Sequence, residues 1–195
     1  MENILFRNVS SNDLGRIAEI ECECYPPEEC GSLDTLSHRQ AHAPDLFLGA
    51  YLVNSPENYE LVGFVCSTLS PSQSLTLDSM ANHVSGGSSV CVYSVNVAPA
   101  HRRKGIATAM LREYISRVSA MGTYDRMLLI THEELRPLYE CVGFEFVGPS
   151  SVQLGSKPWY EMRKILARSD TGKCRAYSGQ LEWYSGKYRC RFYYD

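Results

Sequence analysis

Val95-Asn96-Val97-Ala98-Pro99-Ala100-His101-Arg102-Arg103-Lys104-Gly105-Ile106-Ala107-Thr108 is the stretch from which the rest of the chain is best read. An apolar, strand-like run ends in Val-Asn-Val, and a short basic loop then enters an amphipathic helix. The free N–H groups and the positive dipole end at such a helix start make an anion site. Gly105 lets the backbone come close to a diphosphate, and Arg102, Arg103 and Lys104 add positive charge. The helix that follows carries Ile106, Met110, Tyr114 and Val118 on one stripe, with Leu111 and Ile115 beside it.

Upstream, Ile4-Leu5-Phe6 reads as a short strand, and Ser11-Asn12-Asp13 as a helix start. Leu14, Ile17, Ile20 and Cys24 then recur at helical spacing until Pro26-Pro27. A short helix is expected over Asp34 to Ala41, and strands over Leu46 to Val53 and Leu61 to Leu69. The polar, Gly/Ser-rich segment Pro71 to Ser89 reads as a loop, and Val90 to Val97 as the central strand. Arg126 to Thr131 is a further strand and Leu135 to Cys141 a short helix. Phe144 to Val147 and Trp159 to Ile165 complete the sheet. A strand–helix–strand unit after antiparallel-looking strands predicts a mixed α/β sheet.

The chain has 195 residues, enough for one domain with a substantial core. That domain is expected over 1–167, with a basic and aromatic extension over 168–195. The extension reads either as a docked hairpin or frayed tail, or as a patch for a nucleic acid or partner. The net charge of the whole chain, −3, argues against a general nucleic-acid binder. No apolar run approaches the roughly 20 residues of a membrane span, and no secretory leader pattern opens the chain. Eight cysteines invite a disulfide framework, yet Cys66, Cys91 and Cys141 fall in apolar periodic segments where thiols act as small hydrophobes. Cys22, Cys24 and Cys30 lack a His/Cys pair at finger-like spacing, so no metal is expected. The expectation is a reduced, cytoplasmic protein with no membrane or nucleic-acid partner, monomeric or weakly dimeric.

The spacing Arg102-x-x-Gly105-x-Ala107 resembles the acetyl-coenzyme A loop of the GNAT acyltransferase superfamily. Within it, further stretches resemble the arylalkylamine (serotonin) N-acetyltransferase family. These are Ser74-Leu75-Thr76-Leu77 with His83-x-Ser85-Gly86-Gly87, and Arg136-Pro137-Leu138-Tyr139-Glu140-Cys141-Val142-Gly143-Phe144. Val147-Gly148-Pro149 with Leu154-Gly155-Ser156 and Trp159 before Glu161-Met162 completes the set. The resemblance covers about residues 3–166. It implies a GNAT fold, a mixed and mostly antiparallel central sheet flanked by helices, of the α/β (α+β) class.

Two histidines that animal members of that family carry in the central strand fall here on Cys91 and Tyr93. A Cys-Pro-Leu substrate loop is replaced by Glu29-Cys30-Gly31-Ser32, which points to a non-vertebrate or microbial branch. By resemblance, the backbone of Val95, Asn96 and Val97 pairs with the pantetheine arm, and Arg102 through Thr108 cradle the pyrophosphate. Acetyl-coenzyme A is then the cosubstrate, and a main-chain N–H near Val95 polarises the thioester oxygen. The family role carried onto Tyr139 is general acid toward the departing thiolate, which suits a phenol protonated at neutral pH. The base is open among Glu28, Glu29 and His132. The implied reaction is acetyl transfer to a small primary amine, an arylalkylamine or a polyamine. A protein or peptide N-acetyltransferase and a non-catalytic acetyl-coenzyme A-binding module are the alternatives.

Overall fold

The computed structural model describes residues 3–166, so the extension over 168–195 lies outside the described residues. The strands are β1 (Ile4–Asn8), β2 (Phe47–Ser55), β3 (Asn58–Ser70), β4 (Ser89–Val97), β5 (Arg126–Thr131), β6 (Glu145–Pro149) and β7 (Tyr160–Ile165). They form one seven-stranded sheet in the order β1-β2-β3-β4-β5-β7-β6. All neighbours pair antiparallel except β4 and β5, which the helix α4 (Ile106–Met121) connects as a parallel crossover. The α/β, mostly antiparallel expectation is met.

Each face of the sheet has its own core, because alternate side chains of a strand point to opposite faces. On β3, Leu61, Phe64 and Cys66 pack with Ile17 and Ile20 of helix α1 (Leu14–Cys24) and Leu36 of helix α2 (Leu33–His42). Val62 and Val65 face the other way, toward Met110, Tyr114 and Val118 of α4. Both faces being covered explains why β3 reads as a continuous apolar run. The stripe expected on α4 is the buried one, and the helix ends on Gly122 with φ 66°.

α1 follows a 3-10 turn over Ser11–Asp13 that is capped by Ser10 and Asp13, and Asp13, within the expected helix start, holds the N-cap position of α1. It stops at Tyr25, whose φ of −118° and ψ of 148° are the extended angles imposed by Pro26.

Two expectations are corrected. The loop expected over Pro71 to Ser89 contains a helix, α3 (Leu77–Ala81). Thr76 and Ser79 cap each other reciprocally, at 3.1 and 2.8 Å, and Leu75 and Met80 are buried anchors. Further along, Gly87 lies against the backbone of Ser70, where a β-carbon would come within 2.6 Å. Cys141 is not a core thiol: it is exposed, and its Sγ donates to the Leu138 carbonyl at 3.0 Å. It follows the helix α5 (Arg136–Glu140), whose one buried residue is Tyr139. Among the described residues no helix is long and apolar enough to cross a membrane.

Candidate active site

The parallel pairing of β4 with β5 is confined to Ser89–Cys91 against Arg126–Leu128. Beyond it β5 continues beside β7, while β4 leaves its β5-facing edge unpaired. On its other side β4 bulges: Ser94 and Val92 face consecutive residues of β3, so Tyr93 is the extra residue. Parting strands open a cleft enclosing about 460 Å³, part of it open to solvent. Val92 to Val95 form one side and Leu129 and Ile130 the other, with Tyr139 also in the wall. Tyr25 and Glu29 enter from the loop after α1, Met80 from α3, and Leu154 and Trp159 from the segment before β7.

Tyr139 is held by local geometry. Pro137 sits in the first turn of α5, where its missing N–H costs nothing. The N–H groups of Val142 and Phe144 both donate to the Tyr139 carbonyl, at 3.2 and 3.1 Å. Phe144 packs edge-on to the ring at 6.0 Å. Burial pushes the phenol above its ordinary value of 10, so the proton is retained at neutral pH. No hydrogen bond to its hydroxyl is formed among the described residues.

The three base candidates separate. Glu28 is exposed. Glu29 has a side chain only 8% accessible, lines the cleft, and approaches His132 Nε2 at 3.8 Å. His132 stands behind it, with Nδ1 3.0 Å from the Pro158 carbonyl and its ring 3.9 Å from that of Trp159. It occupies the cap position of the next turn but makes no side-chain cap bond. Thus Glu29, His132 and Trp159 form one contact chain at the cleft wall.

The basic loop has the expected form. Arg103 has φ 64° and Gly105 φ 81°, and the α4 ladder begins with Ala109 N–H donating to the Gly105 carbonyl at 3.0 Å. No side chain caps the first turn. The surface at Gly105 is open, with no atom within 4 Å of where a β-carbon would stand. The amides of Ile106, Ala107 and Thr108, with Arg103 and Lys104 at the exposed bend, therefore fit a diphosphate. Arg102, also exposed, folds back on the end of β4: its Nε donates to the Val97 carbonyl at 3.0 Å and its Nη2 reaches Cys24 Sγ at 3.1 Å. It braces the end of β4. Val95 belongs to the unpaired edge of β4, which offers backbone groups to an extended ligand.

A polar cluster in the cleft wall, where Glu21, Tyr93 and Ser94 line it, was not anticipated. Glu21 is fully buried and accepts from Ser94 Oγ at 3.0 Å, Asn96 Nδ2 at 2.5 Å and the Gly31 N–H at 3.2 Å. Burial raises its pKa, against the pull of those donors and of Arg39. Arg39, 2% exposed, lies 3.4 Å above the Tyr93 ring and donates to the Met80 carbonyl at 2.7 Å. Its Nε and Nη1 have no hydrogen-bond partner. The signal for Glu21 lay in the helical pattern, since Ile17, Ile20, Glu21 and Cys24 share one stripe and a carboxylate there must be buried. Cys91 is buried and pushed up to about 11 by that burial, and Tyr93 is raised for the same reason. Neither replaces an imidazole near neutrality.

A model of the acetyltransferase (GNAT) family matches residues 14–144. The chain belongs to that family. It is an acetyl-coenzyme A-dependent N-acetyltransferase. Serotonin N-acetyltransferase of Mesocricetus auratus is 29% identical over 164 residues, covering 83% of this chain and 77% of that one. The human enzyme of the same name is 28% identical over 134 residues, 69% of this chain and 62% of that protein. Among solved structures, NAA60 of Arabidopsis thaliana with a bisubstrate analogue has a TM-score of 0.65 at 20% identity. It covers 86% of this chain and 100% of its own. The loading GNATL domain of CurA from Lyngbya majuscula reaches 0.70 at 11% identity, over 84% of this chain and 98% of its own. At these identities the structural likenesses show the fold alone.

Proposed function

We propose that this N-acetyltransferase acetylates a small primary amine with an apolar or aromatic body, an arylalkylamine or a polyamine, in the cleft between β4 and β5. The observation that carries this reading is the make-up of the wall. Tyr25, Tyr93, Trp159, Met80 and Leu154 line the cleft together with two carboxylates, the near-buried Glu29 and the buried Glu21. An aromatic enclosure with carboxylates in its wall suits an alkylammonium on a compact apolar group. The serotonin N-acetyltransferase relatives support the same acceptor class.

A primary alkylamine has a pKa of about 10, so presenting it neutral at pH 7 costs roughly 4 kcal/mol. Glu29, backed by His132, takes the ammonium proton and lowers that cost. Acetyl-coenzyme A supplies the acetyl group as a thioester. The amides opening α4, with Arg103 and Lys104, hold its diphosphate, and the β4 edge near Val95 presents an N–H to the carbonyl oxygen. Tyr139 donates its phenolic proton to the departing sulfur. Arg102, Glu21 and Arg39 set the position of β4 and of the loop that carries Glu29.

The test is the pH profile of kcat/KM for wild type, Glu28→Gln and Glu29→Gln. Wild-type activity should climb above neutrality with the ionisation of the amine. Glu29→Gln should lower kcat/KM and steepen that climb, while Glu28→Gln leaves both unchanged. An unaltered profile in Glu29→Gln refutes this assignment of the base.

A further inference from the structure

Cys22, exposed on the outer side of α1, and Cys30, half-buried in the loop beyond Pro26-Pro27, place their sulfurs 3.0 Å apart. That is within about 1 Å of the covalent sulfur–sulfur length of about 2.05 Å. The approach follows from a folded turn. Tyr25 N–H donates to the Glu21 carbonyl at 3.0 Å, and the N–H groups of Glu29 and Cys30 both donate to the Pro26 carbonyl, at 2.9 and 3.0 Å. Immediately beyond, Gly31 N–H is held by Glu21 Oε1. The chain is thereby doubled back on α1, and Cys30 is fixed from both sides.

The other described cysteines are differently placed. Cys66 and Cys91 are buried, Cys24 turns to Arg102 and the Val97 carbonyl, and Cys141 bonds within its own turn. Between Cys22 and Cys30 lie Tyr25 and Glu29, which both line the cleft.

We propose that Cys22 and Cys30 are a reversible dithiol–disulfide site, and that closing it pins the Tyr25–Glu29 wall of the acceptor cleft. The oxidant is a low-molecular-weight disulfide such as glutathione disulfide. The Cys22 thiolate attacks one sulfur of that disulfide, forming a mixed disulfide and expelling one glutathione thiolate. The Cys30 sulfur, giving its proton to solvent, then attacks the Cys22 sulfur and expels the second. Two protein thiols are oxidised and one glutathione disulfide is reduced to two glutathiones. Cys22 is exposed and Cys30 half-buried, so Cys22 is the sulfur that a soluble disulfide reaches and the one that attacks first.

The site goes beyond the acceptor assignment, and its bond is read without any acceptor. The full chain is incubated natively with glutathione disulfide, alkylated and cut with a glutamyl endopeptidase. Cleavage after Glu23 and Glu29 separates Cys22, Cys24 and Cys30. The expected result is a Cys22–Cys30 linked peptide in the monomer that dithiothreitol releases. It should be absent from Cys22→Ser and Cys30→Ser, both melting as the reduced wild type does. Oxidised wild type should melt higher than reduced protein and show a changed acceptor KM at an unchanged coenzyme KM. A lasting glutathione adduct on Cys22 without the link, or Cys22 joined to Cys24 or to another chain, overturns the site. A link that leaves the acceptor KM unmoved overturns the pinning.

Discussion

Replacing Tyr139 by Phe removes one hydroxyl and leaves everything that places the ring. The edge-on contact with Phe144 and the two backbone bonds to the Tyr139 carbonyl survive, because none involves the phenol oxygen. With no protein partner lost, folding stability should stay within about 1 kcal/mol of wild type. The chemical loss is much larger. General-acid assistance is worth about 10²–10⁴-fold, or about 3–5 kcal/mol of transition-state stabilisation. Burial raises the phenol's pKa, and a raised acid keeps its proton until the pH passes that higher value. Hence wild type should show no decline from loss of this proton up to about pH 10. Free-thiol release under saturating substrates gives kcat, and a thermal shift with acetyl-coenzyme A gives binding. The expected mutant melts normally and binds coenzyme normally, but turns over at least a hundredfold more slowly. Full kcat in Tyr139→Phe would falsify the assignment of the proton donor.

Gly105→Asp should abolish the melting-temperature rise that acetyl-coenzyme A produces. It puts a carboxylate on the open diphosphate surface and a side chain at φ 81°; an unchanged rise removes the loop from the binding site. Glu21→Leu strands the donors of Ser94, Asn96 and Gly31 and leaves Arg39 without its counter-charge. About 1 kcal/mol for each stranded donor predicts a loss of about 3 kcal/mol or more in denaturant unfolding. A loss below about 1 kcal/mol would show that β4 does not depend on that carboxylate.

How far the sequence carries the reader depends on the range of the forces involved. α4 was legible because its stripe is long and glycines stand at both ends, and β4 because it is apolar throughout. α3 was not: five residues carry almost no periodicity, and its cap pairs Thr76 with Ser79 rather than with an acid. The basic loop was readable as an anion site, yet nothing local revealed that Arg102 folds back on Val97 and Cys24. Glu28 and Glu29 are indistinguishable in a string of letters. The turn around the Pro26 carbonyl points one to solvent and the other to the cleft. Glu21 sat visibly on an apolar stripe, but its partners Ser94 and Asn96 lie more than seventy residues away.

The central claim is that the cleft beside Glu29 takes a compact amine. It is tested most directly by kcat/KM from free-thiol release across tryptamine, tyramine, spermidine and a lysine peptide. At least one of the three small amines should exceed the peptide by about tenfold or more, the worth of roughly 1.4 kcal/mol in the transition state. A lysine peptide acetylated with a higher kcat/KM than all three contradicts the account.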